Sequence, residues 1–307
     1  MPMELRHLRY FVVVAEEQNI SRAAQRLSVS QPPLTRQIQS LERELKVDLF
    51  ERRGKSIRLN DAGKIFLAEA RQVLNRADEA VEVMRLMALG QRGRVRVGYA
   101  VSPTVELLPK ILRRLNQTHP KLRIELSEVS TEGAANGLHD GSLDVALTVP
   151  ISPRNFQGLR VETLATCPVR VAMPKSHRFA RRRHVSMKDV AHEPIVAFSK
   201  NQFPEAHLGL AKMFSPYSPS LNIVEEYDTV MALIAAVEAK RGIAFVFKSV
   251  SILAGQRIAL RPLTPEPSPL PIGLAYREGR VSDTTHAFVE AARAIKGKFS
   301  SKPALAV

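Results

Sequence analysis

Between Leu5 and Leu89 apolar residues recur at steps of three and four, the pattern of helices that each bury one face. Leu5, Leu8, Phe11, Val12 and Ala15 predict a first amphipathic helix, which Asn19 interrupts. Ser21 is placed to cap a second, short helix, RAAQRL, that turns Ala23, Ala24 and Leu27 inward. After the turn Ser28-Val29-Ser30, Ser30 caps a third helix beginning at Gln31. Pro32 and Pro33 occupy its first turn, where a missing N–H removes no intrahelical bond. Leu34, Ile38, Leu41 and Leu45 form its buried stripe. LFERRGKSIRL then reads as a two-stranded element turning at Gly54, and Asn60 caps a long helix over Asp61–Leu89, roughly 43 Å in length. Along that helix Phe66, Ala70, Val73, Ala77, Ala80, Met84 and Met87 follow a heptad spacing. Such a stripe either packs on its own domain or pairs with a second copy; its length favours pairing, and its alanines allow close approach.

From Arg94 onward the period changes. Short β-branched runs (RVRVGYA, LRIELSEV, LDVALTV, VRVAM, PIVAF, LNIVEEY, GIAFVF, RIALRPL, LPIGLAY) alternate with helical stretches. That alternation predicts βαβ units and a largely parallel sheet covered on both faces, with enough strands for two α/β lobes. GQRG at 90–93 is the expected hinge between the helical and α/β parts.

Burying Leu34, Ile38 and Leu41 leaves Gln31, Thr35, Arg36, Gln39 and Arg43 on the opposite face of the third helix. Two helices joined by a short turn, the second offering Gln, Thr and Arg near its start, is helix-turn-helix architecture. Arg donates in pairs to guanine, Gln to adenine, and a Thr methyl touches the thymine methyl. Arg52, Arg53, Lys55 and Arg58 on the following hairpin suit a wing resting on phosphates. An ordinary three-helix subdomain with polar outer faces is the plainer alternative.

Charge sharpens this picture. Lys and Arg number 45 against 30 acids, a net +15, which favours a polyanionic partner. Residues 20–60 hold nine cations against four acids. A second block, 160–190, holds eight cations against Glu162 and Asp189; lacking apolar periodicity around Arg181–Arg183, it reads as a solvated surface loop. Cys167 is the single cysteine, so an intrachain disulfide and a Cys-rich metal site are excluded. The apolar start Phe11–Ala15 is too short for a signal segment, and no run of about 18 apolar residues occurs, so a cytoplasmic location is expected and no membrane partner. No HExxH, phosphate-loop or dinucleotide motif is present, so neither enzyme, metal nor cofactor is expected.

The stretch MELRHLRYFVVVAEEQNISRAAQRLSVSQPPLTRQIQSLERELKVDLFERRGKSIRLNDAGKIFL resembles the winged helix-turn-helix of LysR-type bacterial transcriptional regulators. LRHLRYFVVVAE, the VSQPPLTRQI core, LFER and LNDAG carry the likeness, which extends to about Ile295. Val47 departs from it, standing where members commonly have Gly. The resemblance implies an N-terminal winged helix-turn-helix (1–60), a linker helix (61–89), the hinge, and a two-lobed α/β effector domain like a periplasmic binding protein. Lobe 1 would comprise 94–162 and 268–298, lobe 2 163–267, with a flexible tail at 299–307. It implies that Ser30, Gln31, Pro32, Pro33, Thr35, Arg36 and Gln39 approach promoter DNA in the major groove, and that Arg52, Arg53 and Lys55 serve the wing. It further implies antiparallel pairing of linker helices through Phe66, Ala70, Val73, Ala77, Ala80 and Met84, commonly within a homotetramer that can act on RNA polymerase.

In the α/β part, Ser102-Pro103-Thr104 and Ser130-Thr131 follow strands and precede helices, where free N–H groups favour an anion. They either cap those helices or bind a small molecule. By resemblance, Ser102 and Thr131 match the serine and threonine that hold aromatic-derived carboxylates. The second lobe adds Phe198, Ser199, Lys200, Asn201, Gln202 and Tyr227, while Phe245 and Phe247 wall the cavity or belong to the core. Val149 stands where muconate-sensing relatives have arginine, so the expected effector is anionic or aromatic but less charged than a dicarboxylate. A cytoplasmic solute-binding protein, or a non-catalytic ligand sensor without a specific DNA target, is the alternative function.

Overall fold

The computed structural model describes residues 3–53, 56–88, 93–150, 153–218, 220–279 and 281–296. The expected turn at Gly54-Lys55, the hinge residues 90–92, Leu89 and the tail 299–307 lie outside them. Contacts divide the chain into two compact units, residues 1–91 with 139–142 and residues 92–138 with 143–307.

The first unit holds α1 (Leu5–Glu17), α2 (Ile20–Arg26), α3 (Gln31–Leu45), β1 (Phe50–Arg53), β2 (Ser56–Leu59) and α4 (Asp61–Ala88). Leu8, Phe11, Val14 and Ala15 of α1 are buried, whereas Leu5 is 41% exposed, so the inward face is rotated from the expected stripe toward Val14. Asn19, not Ser21, caps α2: its side chain accepts from the Arg22 N–H. Ser21 instead donates to Gln31 Oε1 at 3.2 Å, linking α2 to the start of α3. Ser30 occupies the N-cap position of α3 in extended conformation without a side-chain cap bond. Phe11 organises the core, its ring 5.4 Å from Phe50 on the wing and 5.0 Å from Phe66 on α4. At the end of α3 the left-handed residue is Lys46 (φ 56°), so Val47 sits in the turn without needing the glycine-favoured conformation.

Asn60 joins wing to linker. Its amide donates to the Asp48 carbonyl (2.7 Å), and its carbonyl oxygen accepts from the Gly63 N–H (2.8 Å). A Cβ on Gly63 would lie 2.0 Å from the Leu49 carbonyl oxygen, so only glycine lets α4 start this close to the strand. The heptad stripe of α4 divides in two. Ala70 is 1% exposed and Phe66 packs beside it in the helix-turn-helix core, so these two belong to their own domain. Val73, Ala80 and Met84 are exposed.

The second unit runs β3 (Arg94–Tyr99), α5 (Val101–Thr104), α6 (Leu108–Thr118), β4 (Arg123–Glu128), α7 (Thr131–Asp140), β5 (Val145–Thr148) and β6 (Leu159–Cys167). It continues through β7 (Val169–Pro174), β8 (Val185–Ser186), α8 (Met187–Val190), β9 (Ile195–Phe198), α9 (Pro204–Phe214) and β10 (Ile223–Tyr227). It ends with α10 (Val230–Glu238), β11 (Ala244–Phe247), α11 (Val250–Ala254), β12 (Ile258–Thr264), β13 (Leu270–Arg277) and α12 (Asp283–Arg293). The first lobe is a five-stranded sheet ordered β4-β3-β5-β13-β6; the second carries β11-β7-β12-β8 and the parallel pair β10-β9.

Only part of this is parallel. β3 pairs parallel with β4 and β5, but β13 runs antiparallel to β5 and β6, and β7 antiparallel to β11 and β12. The largely parallel expectation is corrected because the chain passes between lobes twice, by β6 into β7 and by β12 into β13, and each return strand enters reversed. Paired along its length with β13, β6 stays in the first sheet through Cys167, so the first lobe does not end at residue 162. Among the described residues no helix is long and apolar enough to cross a membrane.

Candidate DNA-reading surface and effector cleft

The polar side of α3 is exposed where its apolar side is locked. Leu34, Ile38 and Leu41 are at most 4% exposed, which fixes the helix rotation and turns Gln31, Pro32, Arg36 and Gln39 to solvent. Thr35 is half-buried; its hydroxyl bonds back to the Gln31 carbonyl at 3.1 Å, leaving its methyl for contact. Arg43 likewise folds back onto the Gln39 carbonyl. Cations on the neighbouring helix are already spoken for. Arg26 meets Glu16 and Glu17 at 3.0 and 3.1 Å, bonds that push its basicity further up, and Arg22 donates to the Glu17 carbonyl. Among the described residues no acid pairs with Arg36, which leaves its guanidinium for a base edge or phosphate.

The wing is placed by a residue that sequence reasoning missed. Glu42, on α3, accepts from the Leu49 and Phe50 N–H groups at 2.8 and 3.3 Å, fastening the wing to the reading helix. The hairpin pairs Arg52 with Ile57 and Glu51 with Arg58. Arg52 and Arg53 therefore lie near its tip; Lys55 falls outside the described residues.

In the α/β unit, the C-terminal ends of β4, β3 and β5 lie side by side, the edge where open α/β sheets take ligands. Ser102 (8% exposed), Thr131 (7%), Thr148 and Val149 gather at these ends. Thr148 donates to the Thr131 hydroxyl at 3.4 Å. Ser130 caps α7 by accepting from the Gly133 N–H, so its hydroxyl serves the helix. Thr104 departs from expectation. It is fully buried and its hydroxyl bonds the Ala100 carbonyl at 2.6 Å, because Ser102-Pro103-Thr104 forms the separate single turn α5 rather than the start of α6.

The second lobe meets this edge through apolar contact: Val101 packs against the cluster of Val196, Val230 and Val250, against which Phe198 and Tyr227 also pack. Phe198 lies 5.1 Å from Phe203, and His207 Nε2 sits 2.6 Å from the Phe198 carbonyl. Lys200 and Gln202 are exposed; the Lys200 backbone N–H donates to Glu226. The Tyr227 hydroxyl donates to Glu225, which also holds Arg241. That carboxylate raises the phenol above its usual range, so the expected role of Tyr227 narrows to its ring. Phe245 packs against Phe214 beside the second-lobe core, the two rings tilted by 57°.

Ser249, just before α11, went unremarked in the sequence. It is 4% exposed and donates across the lobes to the Ser102 carbonyl at 2.5 Å, with Cys167 Sγ 3.6 Å from its oxygen. Only the crossing of the strands brings these three together. A cavity of about 440 Å³ opens elsewhere in the first lobe, among Arg160, Tyr276, Arg277, His286, Val289 and Arg293, and shares no residue with the sheet-edge group. Two of its lining residues are engaged with Glu162: Arg293 Nε and Tyr276 Oη donate to its carboxylate at 2.9 and 2.6 Å. Those bonds, Arg293 first, hold the Glu162 carboxyl down at about 2. This latch fastens α12 to β6 and β13.

Comparison with known proteins agrees with both halves of this geometry. Residues 5–64 match the bacterial regulatory helix-turn-helix family of LysR type, and residues 88–295 match the LysR substrate binding domain. The HTH-type transcriptional regulator AlsR of Bacillus subtilis is 33% identical over 261 residues, 85% of this chain and 86% of its own. BenM of Acinetobacter baylyi is 31% identical over 300 residues, 95% of this chain and 96% of its own. Among solved structures, the LysR family regulator CbnR superposes with a TM-score of 0.68 at 28% identity, covering 96% of this chain and 99% of CbnR. Full-length CbnR complexed with its target DNA gives the same TM-score, covering 95% of this chain and 100% of that one. A reading helix with a wing, followed by a substrate-binding α/β unit and matched over nearly all of its length, places the chain in the LysR family of DNA-binding transcriptional regulators.

Proposed function

We propose that the chain binds a promoter operator as a paired assembly in the cytoplasm and alters that binding when a small anionic or aromatic molecule enters the sheet-edge cleft. Ser30, Gln31, Pro32, Pro33, Thr35, Arg36 and Gln39 meet the major groove, and Arg52, Arg53 and Lys55 the phosphates beside it. The stripe of exposed Val73, Ala80 and Met84 with half-buried Ala77 joins two linker helices, and two such pairs make a tetramer that presents its DNA to RNA polymerase. Ser102, Thr131 and Val149 line the ligand site with Phe198, Lys200, Gln202 and the Tyr227 ring from the second lobe. The expected contribution of Ser130 there passes to its helix, and that of Thr104 is withdrawn.

The observation that carries this reading is that no acid among the described residues pairs with Arg36, on a helix whose rotation is fixed by three buried apolar residues, while the arginines of α2 are neutralised. CbnR, the relative of like fold, is solved with target DNA. Genome-wide mapping of bound sites supplies the operator. On that duplex Arg36→Ala lowers affinity by about 1–3 kcal/mol and relaxes preference at one base pair, a change that anisotropy titration resolves. Unchanged affinity and unchanged preference would remove α3 from base reading.

A further inference from the structure

The net charge is distributed against expectation for a regulator that touches DNA only through its helix-turn-helix. Residues 1–91 carry 15 Lys and Arg against 12 acids, a surplus of +3, whereas residues 92–307 carry 30 against 18, a surplus of +12. The densest part of that surplus is the segment 175–188, KSHRFARRRHVSMK, which holds six cations and no acid.

The structure makes this segment a built surface rather than a loose loop. Its backbone closes successive tight turns: His177 N–H to the Pro174 carbonyl, Ala180 to His177 and Arg182 to Phe179. Phe179 and Ala180 are 3% and 4% exposed and anchor the turn in the second-lobe core. Two of the arginines are structural. Arg178 pairs with Glu193 at 2.5 Å and Arg182 with Asp189 at 2.9 Å, and their guanidiniums lie 4.5 and 4.6 Å from the Phe179 ring centroid. Those pairs use up the nearby carboxylates. Lys175, Arg181, Arg183 and Lys188 are exposed, and among the described residues no acid is paired with any of them. The outcome is a rigid mount that neutralises its own supports and presents the remaining cations outward.

We propose that this turn is a second DNA-contacting surface, one that meets duplex phosphates from the effector domain without reading sequence. Exposed arginines on a hydrogen-bonded turn, without a carboxylate partner among the described residues, match the spaced, fully ionised oxygens of a phosphate backbone. A folded protein partner would need an apolar centre, and this surface offers none: the segment's apolar side chains, Phe179, Ala180, Val185 and Met187, are all buried. The proposal takes the DNA-binding reading as given and adds a contact to it.

The test uses the full chain and a random-sequence duplex of about 60 base pairs, titrated by anisotropy across a salt series. For Arg181→Gln/Arg183→Gln, the slope of log affinity against log salt falls by about 2, and affinity near 0.1 M salt falls several-fold. Arg181→Lys/Arg183→Lys keeps the wild-type slope, since a point charge suffices for phosphate. Lys212→Gln/Lys240→Gln removes the same charge from exposed positions elsewhere on the second lobe and leaves the slope unchanged. An unaltered slope in the first variant overturns the proposal, as does an equal fall in the Lys212/Lys240 pair, which would reduce the effect to net charge. Loss of retention on purified RNA polymerase with DNA binding intact would also overturn it and assign the surface to a protein. A wild-type chain that fails to bind the duplex at low salt would instead strike at the DNA-binding reading itself.

Discussion

Glu162 shows how one side chain can hold two strands and a helix. It accepts from Tyr276 and Arg293, and its side chain is 17% exposed, so the charge is shielded yet fully paired. Its carboxyl sits at about 2 in the folded chain against an ordinary 4.5. A depressed carboxylate stabilises the fold above its unfolded value, and that contribution is lost as pH falls through the folded value. The shift corresponds to about 1–3 kcal/mol once the partial exposure of Arg293 is allowed for. Glu162→Gln is therefore expected to lower unfolding free energy by that amount at pH 7, read by urea denaturation at fixed protein concentration. The gap to wild type narrows as pH drops from about 4.5 toward 2. A gap that stays constant over that range would show that lost packing, not lost charge, causes the effect. None of this was legible in the sequence: Glu162 is far from Tyr276 and Arg293 in the chain, and the pairing of β6 with β13 and the placing of α12 unite them.

Elements were legible in proportion to how one-sided their burial is. α3 is visible because Leu34, Ile38 and Leu41 are buried and their neighbours are not, and the outward set followed directly. The cap of α2 was misplaced because Asn19 and Ser21 are both good caps, and the choice fell to Ser21 being drawn off to Gln31. β6 escaped because it is an edge strand in which polar Arg160, Glu162, Thr163 and Thr166 interrupt the apolar signal. α4 was read as one stripe although it does two jobs. Phe66 and Ala70 serve the helix-turn-helix core, whereas Val73, Val81 and Met84 stand 46%, 70% and 59% exposed. Exposed apolar side chains in a row on one helix are what a partner helix would cover. Val81→Glu/Met84→Glu is expected to weaken self-association by about 3–5 kcal/mol, a shift of 100-fold or more, seen by sedimentation velocity across a dilution series. The far-ultraviolet circular dichroism stays as in wild type. Wild-type protein that sediments as a monomer at every concentration would defeat the pairing.

At the scale of the whole effector unit, the described residues join the two lobes by two strand crossings, the packing of Val101 and a hydroxyl bond from Ser249 to the Ser102 carbonyl. The same Ser102 stands at the sheet edge where an anion would meet the start of α7, so a ligand there acts on a residue that already ties the lobes together. A ligand shifts a conformational equilibrium only through differential affinity for its states, and a site built across a hinge supplies that difference. The wall at Val149 carries no cation, which favours one carboxylate over two. Benzoate is accordingly expected to raise the melting temperature of the full chain more than muconate does. At a concentration about 100 times its dissociation constant the stabilisation is about 2.7 kcal/mol, or several degrees for a unit of this size. Thr131→Ala abolishes the benzoate shift, and Val149→Arg turns the preference toward muconate by adding a partner for the second carboxylate. Ser249→Ala leaves the site's own groups in place but frees the lobes, so the shift persists while the ligand's effect on operator affinity shrinks. If Ser249→Ala transmits the ligand signal as fully as wild type, the hydroxyl bond is a packing detail and the two crossing strands with the Val101 contact carry the coupling.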